Sequence, residues 1–228
     1  MVLSKFLLCC VGFIIGAEIY HQAALKLKKR LLPDDDFNEM IFTRDPLDYK
    51  TKLTRHINFS REKTLHVMEM LENLILSGRK CIHVAMYIFT SDPLATALIQ
   101  AHKRGLQVFV IVDHSMENSS SSKVVRLKEA GVAVRICHEK TLHHKMCLID
   151  VPFKGSKPAK LPLTRQTIPI PSNGLVISGS CNWTRDALTN NEEYLNISST
   201  PALCQRAVKK FLEIWSYCET WMSPTDGK

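Results

Sequence analysis

No Cys-x-x-Cys pair occurs in these 228 residues, and the eight cysteines are scattered along the chain. That excludes a disulfide-stapled small scaffold and the common zinc-ribbon spacing, and describes reduced, mostly buried thiols. No segment repeats with a period of about 20–50 residues, so solenoids and propellers are excluded and any catalytic motif is present once per chain. Long apolar runs are also lacking: Phe6 to Ala17 is nearly continuous, yet crossing hydrocarbon takes roughly 20 residues. Negative charge is in deficit, with Lys+Arg 30 against Asp+Glu 22 and a formal net charge of +8. An excess of that size favours a polyanionic partner, nucleic acid or an anionic lipid surface.

The apolar run reads as a membrane anchor over residues 1–24, extended toward Ala24 with Lys5 snorkelling outward. Lys26, Lys28, Lys29 and Arg30 follow it and set the rest of the chain on the cytosolic side. A cleaved secretory signal is the competing reading. Against it stand the glycosylation sequons Asn58-Phe-Ser60, Asn118-Ser-Ser120, Asn182-Trp-Thr184 and Asn196-Ile-Ser198, since passage through the secretory lumen would modify Asn182 inside the motif described below. Residues 25–55 read as a linker and irregular lead-in, and 56–224 as one catalytic domain, within the size that buries a single core.

Ser60 opens an amphipathic helix carrying Val67, Met68, Leu71, Leu74 and Ile75 and closing near Gly78. Cys81 to Phe89, Leu106 to Val112 and Val132 to Ile136 read as strands. Helices from Asp92-Pro93 to His102 and from Ser122 to Ala130 stand between them, ended by Gly105 and Gly131. This alternation demands a parallel, right-handed core. Met146 to Val151, Leu175 to Ser178 and Tyr194 to Ser198 add strands, and Thr200-Pro201 starts a closing helix. The expected class is α/β, a mixed, largely parallel sheet flanked by helices on both faces.

Two phrases carry the chemistry. Leu142-His-His-Lys-Met-Cys-Leu-Ile-Asp150 holds His143, Lys145 and Asp150, and Gly179-Ser-Cys-Asn182 follows a polar insert. Alternate side chains of a strand share a face, so His143 and Lys145 project together and meet one substrate as nucleophile and cation. Asp150 has the opposite parity and belongs behind the site unless a bulge intervenes. Ser180, Asn182 and backbone N–H groups of the second phrase are donors for phosphate oxygens.

The pattern His-x-Lys-x-x-x-x-Asp followed by Gly-Ser-x-Asn resembles the phospholipase D superfamily. Gly-Ser-Cys-Asn-Trp-Thr and Asn190-Asn-Glu-Glu193 resemble most its single-motif, membrane-anchored branch, that of the mitochondrial cardiolipin hydrolases or Zucchini endonucleases. The likeness runs from about Phe42 to about Trp221. Two departures stand out. Residues 151–173 form an insert with Lys154, Lys157, Lys160 and Arg165 where the family turns tightly. No cysteine lies between Cys10 and Cys81, so the zinc-binding insert of that branch is not expected.

The resemblance implies phosphodiester hydrolysis through a covalent phosphohistidine. His143 attacks phosphorus, Lys145, Asn182 and Ser180 hold the nonbridging oxygens, and neither metal nor other cofactor is needed. A second histidine must serve as acid and base, and a single-motif chain borrows it from a twofold-related copy, which makes a homodimer the expected assembly. Glu193 is expected to orient a His143 ring nitrogen, with Glu192 the weaker candidate and Asp150 in support. His144 reads as a core or supporting residue. A metal site from Cys137, His138, His144 and Cys147 lacks usual ligand spacing. Trp183 stacks on a base or walls the pocket.

Three function classes follow: a single-strand endoribonuclease of small guide (piRNA) production at the mitochondrial outer membrane, working with small-RNA pathway proteins; a hydrolase of cardiolipin in an anionic phospholipid membrane; and an inactive membrane scaffold. The intact motif argues against the scaffold. Single-stranded RNA is the expected substrate, because no apolar rim or amphipathic helix flanks either phrase and Trp183 is available for stacking.

Overall fold

The computed structural model describes residues 38–44, 67–154, 168 and 170–220. The expected anchor, most of the lead-in, the start of the first helix and most of the insert lie outside those residues. No helix among the described residues is long and apolar enough to cross a membrane.

The elements run β1 (Asn38–Phe42), α1 (Val67–Ser77), β2 (Cys81–Met86), α2 (Asp92–Lys103), β3 (Gln107–Asp113), α3 (Val124–Glu129), β4 (Ala133–Cys137), β5 (Lys145–Ile149), β6 (Leu175–Gly179), α4 (Arg185–Thr189), β7 (Tyr194–Ser198), α5 (Pro201–Tyr217) and β8 (Glu219–Thr220). All eight strands form one sheet, ordered β1-β7-β6-β5-β2-β3-β4-β8. β2, β3 and β4 are parallel, as the β-α-β-α-β alternation requires, and the remaining pairings are antiparallel.

Each face of the sheet carries its own core. On one face α1 buries Val67, Met70, Leu71, Leu74 and Ile75, the i, i+3, i+4 stripe of an amphipathic helix, against Ile82, Val84 and Met86. On the other, α5 lays Cys204, Val208, Phe211 and Ile214 over Ala85, Ile111 and Leu148. A strand covered on both sides must be apolar throughout, and all six residues of β2 are buried. Gly105 and Gly131, at φ 95° and 86°, end α2 and α3 in the left-handed region where a side chain would be strained.

Three elements escape a local reading. β1 lies inside the stretch read as a linker, so that boundary is moved: Asn38–Phe42 is a strand paired with β7 in the register Met40↔Asn196. Its sequence gives little signal, because an edge strand is recruited by the open backbone groups of its neighbour and buries only Ile41. α4 has five residues and β8 two, too short for periodicity to show.

Candidate active site

Pairing converges the two phrases on one end of the sheet. β5 runs antiparallel to both β2 and β6, with Met86↔Lys145 and Met146↔Ser178. The start of β5 therefore meets the end of β2 and the end of β6, and the start of β7 joins through Gly179↔Leu195. His143 precedes β5 by two residues and is exposed at this end. Asp113, at the end of β3, anchors that lead-in, because its buried carboxylate accepts the Leu142 N–H at 2.8 Å. Burial pushes the Asp113 carboxyl up, but the Ser115 and Leu142 N–H groups and the neighbouring His114 outweigh it and hold it below the ordinary value.

Lys145 Nζ lies 3.3 Å from Nδ1 and 3.2 Å from Nε2 of His143, and donates to the His143 carbonyl at 3.2 Å. The in-plane lone pairs of the two ring nitrogens diverge, so near-equal distances place the ammonium against the ring and not in one aligned hydrogen bond. Tyr87, which follows β2, completes the cluster. Its ring is 4.7 Å from the His143 ring and 5.0 Å from Lys145 Nζ, and its N–H donates to the His144 carbonyl at 2.8 Å. Desolvation lowers the Lys145 ammonium from its ordinary value, opposed by the attraction of Glu193.

The second phrase turns where β6 meets β7. Gly179 is required there, because a Cβ would stand 2.0 Å from the Tyr194 carbonyl oxygen. Asn182 is half-buried; its Oδ1 accepts the Ile88 N–H at 3.3 Å, which leaves the Nδ2 amide to donate. The Ser180 hydroxyl donates to a Glu193 carboxylate oxygen and accepts the Tyr194 N–H at 3.1 Å. Its single proton is committed, so Ser180 fixes Glu193 in this state and offers nothing to a phosphate. Glu193 also accepts from Asn191 Nδ2 at 3.4 Å. It thus braces the β6–β7 turn and attracts Lys145 instead of bonding to the His143 ring. Glu192 pairs with Arg44 at 3.1 Å on the exposed surface, away from the cluster.

Three side chains sit apart from their sequence roles. Asp150 lies at the opposite end of β5 from His143. Seven residues of extended chain put it about 23 Å away, where it accepts the N–H groups of Arg79, Lys80 and Cys81 at 2.7–3.2 Å. Burial raises its carboxyl and those N–H bonds oppose the rise. Trp183 is 2% exposed. It packs edge-on against Phe89 at 5.1 Å, with its carbonyl accepting the Thr90 and Ser91 N–H groups, so it walls the site from inside and presents no face to a base. His144 is exposed, not core; desolvation first, then Lys210, Lys145 and His143, lower it from its ordinary value.

Sequence reasoning missed Tyr87 and Asp113. Neither lies in a motif, and only the β2–β5 register and the parallel β3 strand bring them here. It also missed an exposed apolar patch: Met40 at 57%, Phe42 at 47% and Tyr194 at 41% exposure lie on β1 and the start of β7, on the α5 face of the sheet. Thr43, next after Phe42, donates to the Asn191 carbonyl at 2.7 Å and accepts the Glu193 N–H at 3.0 Å, which ties the end of β1 to the β6–β7 turn. On the α5 face Met146 meets Leu203, Arg206, Ala207, Lys209, Lys210 and Glu213 around a groove of about 430 Å³.

The chain matches the family model described as "Cardiolipin synthase, PLD-like domain" over residues 71–215. A Danio rerio protein named mitochondrial cardiolipin hydrolase is 31% identical over 216 residues, 90% of this chain and 83% of that protein. The human protein of the same name is 25% identical over 151 residues, 65% of this chain, and this chain spans 50% of its length. Among solved structures, Nuc from Salmonella typhimurium, a phospholipase D family member, shares the fold with a TM-score of 0.59 at 17% identity, covering 82% of this chain and 99% of its own. NucT from Helicobacter pylori does so with a TM-score of 0.56 at 19% identity.

Proposed function

Since the chain belongs to the phospholipase D-like family of phosphodiester hydrolases, we propose that it cleaves the phosphodiester of an anionic phospholipid of the cardiolipin class through a phosphohistidine on His143. The observation that carries the substrate is the exposed apolar surface of Met40, Phe42 and Tyr194 at the β1–β7 edge, which shares the α5 face of the sheet with Arg206, Lys209 and Lys210 and reaches the end of the sheet that bears His143. A lipid hydrolase needs apolar surface beside its cleft to seat in the headgroup layer while a diester is drawn in. Arg206, Lys209 and Lys210 on the same face as Phe42 and Tyr194 supply the attraction to anionic headgroups. One of the features that favoured RNA from sequence, a free Trp183, does not hold, since its ring is buried against Phe89.

In this mechanism a His143 ring nitrogen attacks phosphorus in line with the leaving oxygen. Lys145 moves its ammonium from the ring to the nonbridging oxygens, and the free Nδ2 amide of Asn182 donates to a second. Tyr87 limits how the ring rotates once the ammonium leaves. The leaving oxygen takes its proton from His143 of a second copy across a twofold axis, and that residue then activates water to release the phosphate. Homologues named mitochondrial, together with the apolar N-terminal run, support attachment at the mitochondrial outer membrane.

A second reading, endonucleolytic cleavage of single-stranded RNA in small guide RNA production, is favoured by Lys140, Arg206 and Lys209. They are exposed and make no ion pair among the described residues, so they are free to neutralise backbone phosphates. One experiment separates the readings: full-length protein is incubated in chelator with liposomes containing cardiolipin and, separately, with end-labelled single-stranded RNA at low salt. Phosphatidic acid release that is lost in His143→Ala supports the proposal. RNA cleavage with intact cardiolipin overturns it in favour of the second reading, and activity that survives His143→Ala removes the phosphohistidine from both.

A further inference from the structure

Cys137 ends β4, and Cys218 follows α5 immediately before β8. β4 and β8 pair antiparallel as Ile136↔Glu219 and Arg135↔Thr220. One further step of that register sets Cys137 opposite Cys218, where Cα atoms lie about 4.5–5.5 Å apart, inside the span a disulfide bridges. Cys218 has the extended backbone of a strand residue, φ −74° and ψ 145°, and its thiol feels the neighbouring Cys137 electrostatically. Arg135 pins the arrangement: its guanidinium donates to the Trp215 carbonyl and lies 4.5 Å over the Trp215 ring.

We propose that Cys137 and Cys218 are a redox-active pair, oxidised to a disulfide by small hydroperoxides and reversible by thiols. The other described cysteines have no such partner. Cys147 belongs to the core on the opposite face of the sheet from Cys137, and Cys204 lies fourteen residues before Cys218, about 21 Å along the helix. In the reaction the thiolate of one cysteine attacks the peroxide, forming an S–O bond as the O–O bond breaks, and water leaves with the proton. The second thiol then attacks the sulfenic sulfur, an S–S bond forms, and a second water departs. Two thiols lose two electrons and one peroxide gains them.

The pair connects to the site through one hydrogen bond. The Cys137 thiol donates to the Lys140 carbonyl at 3.3 Å, in the loop that delivers His143 three residues later. A disulfide removes that donor and leaves the segment next to His143 held by the Asp113 contact to Leu142 and the Tyr87 contact to His144. Oxidation therefore loosens His143 without touching it, a consequence that rests on the assignment of His143 as nucleophile. Burial pushes the Cys218 thiol up to about 12. The thiolate is therefore scarce at neutral pH, and oxidation is slow beside that of an exposed cysteine.

The test uses full-length protein with hydrogen peroxide at pH 8.5, followed by alkylation in denaturant and digestion without reductant. The expected result is a cross-linked peptide containing Cys137 and Cys218, absent from Cys218→Ser and abolished by dithiothreitol. Recovery of both as alkylated thiols or as separate sulfenic acids after prolonged peroxide overturns the pair. Oxidised wild type should lose at least about half its phosphodiester turnover and regain it with dithiothreitol, while Cys218→Ser is unaffected by peroxide. Cross-linking with unchanged turnover refutes the link to His143 and leaves the mapping result standing by itself.

Discussion

Replacing Asp150 by alanine separates two meanings of a motif residue. Its carboxylate Oδ1 accepts from Arg79, Lys80 and Cys81 at 2.9, 2.7 and 3.2 Å, and Oδ2 accepts from Arg79 at 2.8 Å. Alanine leaves three donors without an acceptor, each costing about 1–3 kcal/mol when water cannot reach it. Only the Cys81 donor is fully buried, so the three together cost about 3–4 kcal/mol. Asp150 also holds φ 56°, a left-handed conformation that costs alanine about 1 kcal/mol more than a residue with a short polar side chain. The expected loss is about 4–5 kcal/mol, a large share of the roughly 5–15 kcal/mol that stabilises a domain. Asp150→Asn keeps an oxygen for three of the four contacts and tolerates the φ, so about 1–2 kcal/mol is expected. Denaturant midpoints measure both, and turnover per folded molecule is then compared at low temperature. The structure predicts a falling midpoint with turnover per folded molecule within about twofold of wild type. A normal midpoint with turnover down a hundredfold would refute the argument and place Asp150 in the chemistry.

His143→Ala should abolish turnover, by at least about a thousandfold, while circular dichroism stays unchanged because the side chain is exposed. Gly179→Ala pushes a methyl against the Tyr194 carbonyl oxygen at 2.0 Å; a loss of about 3 kcal/mol together with impaired turnover is expected, and an unperturbed variant would show that β6 and β7 part easily. His83 sits among Phe109, Phe153 and Phe211 with both ring nitrogens unpartnered, and burial lowers it from 6.5 to about 4. Its neutral form stabilises the fold above pH 6.5, and that contribution, about 3 kcal/mol, is lost as pH falls toward 4. His83→Leu should flatten the acid limb of stability measured by denaturation between those pH values. Shortening residues 151–173 to a tight turn should weaken macromolecular substrates and spare a small chromogenic diester, and equal losses on both would assign the insert to the fold.

The parallel core was legible because its signals are local. β2, β3 and β4 are predominantly apolar runs, Pro93 stands in the first turn of α2, and Gly105 and Gly131 close helices in a conformation that strains other residues. The pairing of His143 with Lys145 was legible for the same reason, since the two-residue period of extended chain puts both on one face. Asp150 is set apart by the length of β5, which carries it to the far end of the strand against Arg79, Lys80 and Cys81. What the sequence could not carry is contact across strands. The register Met86↔Lys145 delivers Tyr87, the end of β3 delivers Asp113, and recruitment of β1 by β7 sets Phe42 beside Tyr194 on the α5 face. Burial also depends on the whole. Trp183 is polar-flanked in sequence and reads as free, yet Phe89 and the turn at Thr90 enclose it. Ser180 reads as a phosphate donor until Glu193, thirteen residues away, accepts its one hydrogen bond. Local periodicity fixes which face a residue occupies; which neighbours share that face is decided only when distant strands pair.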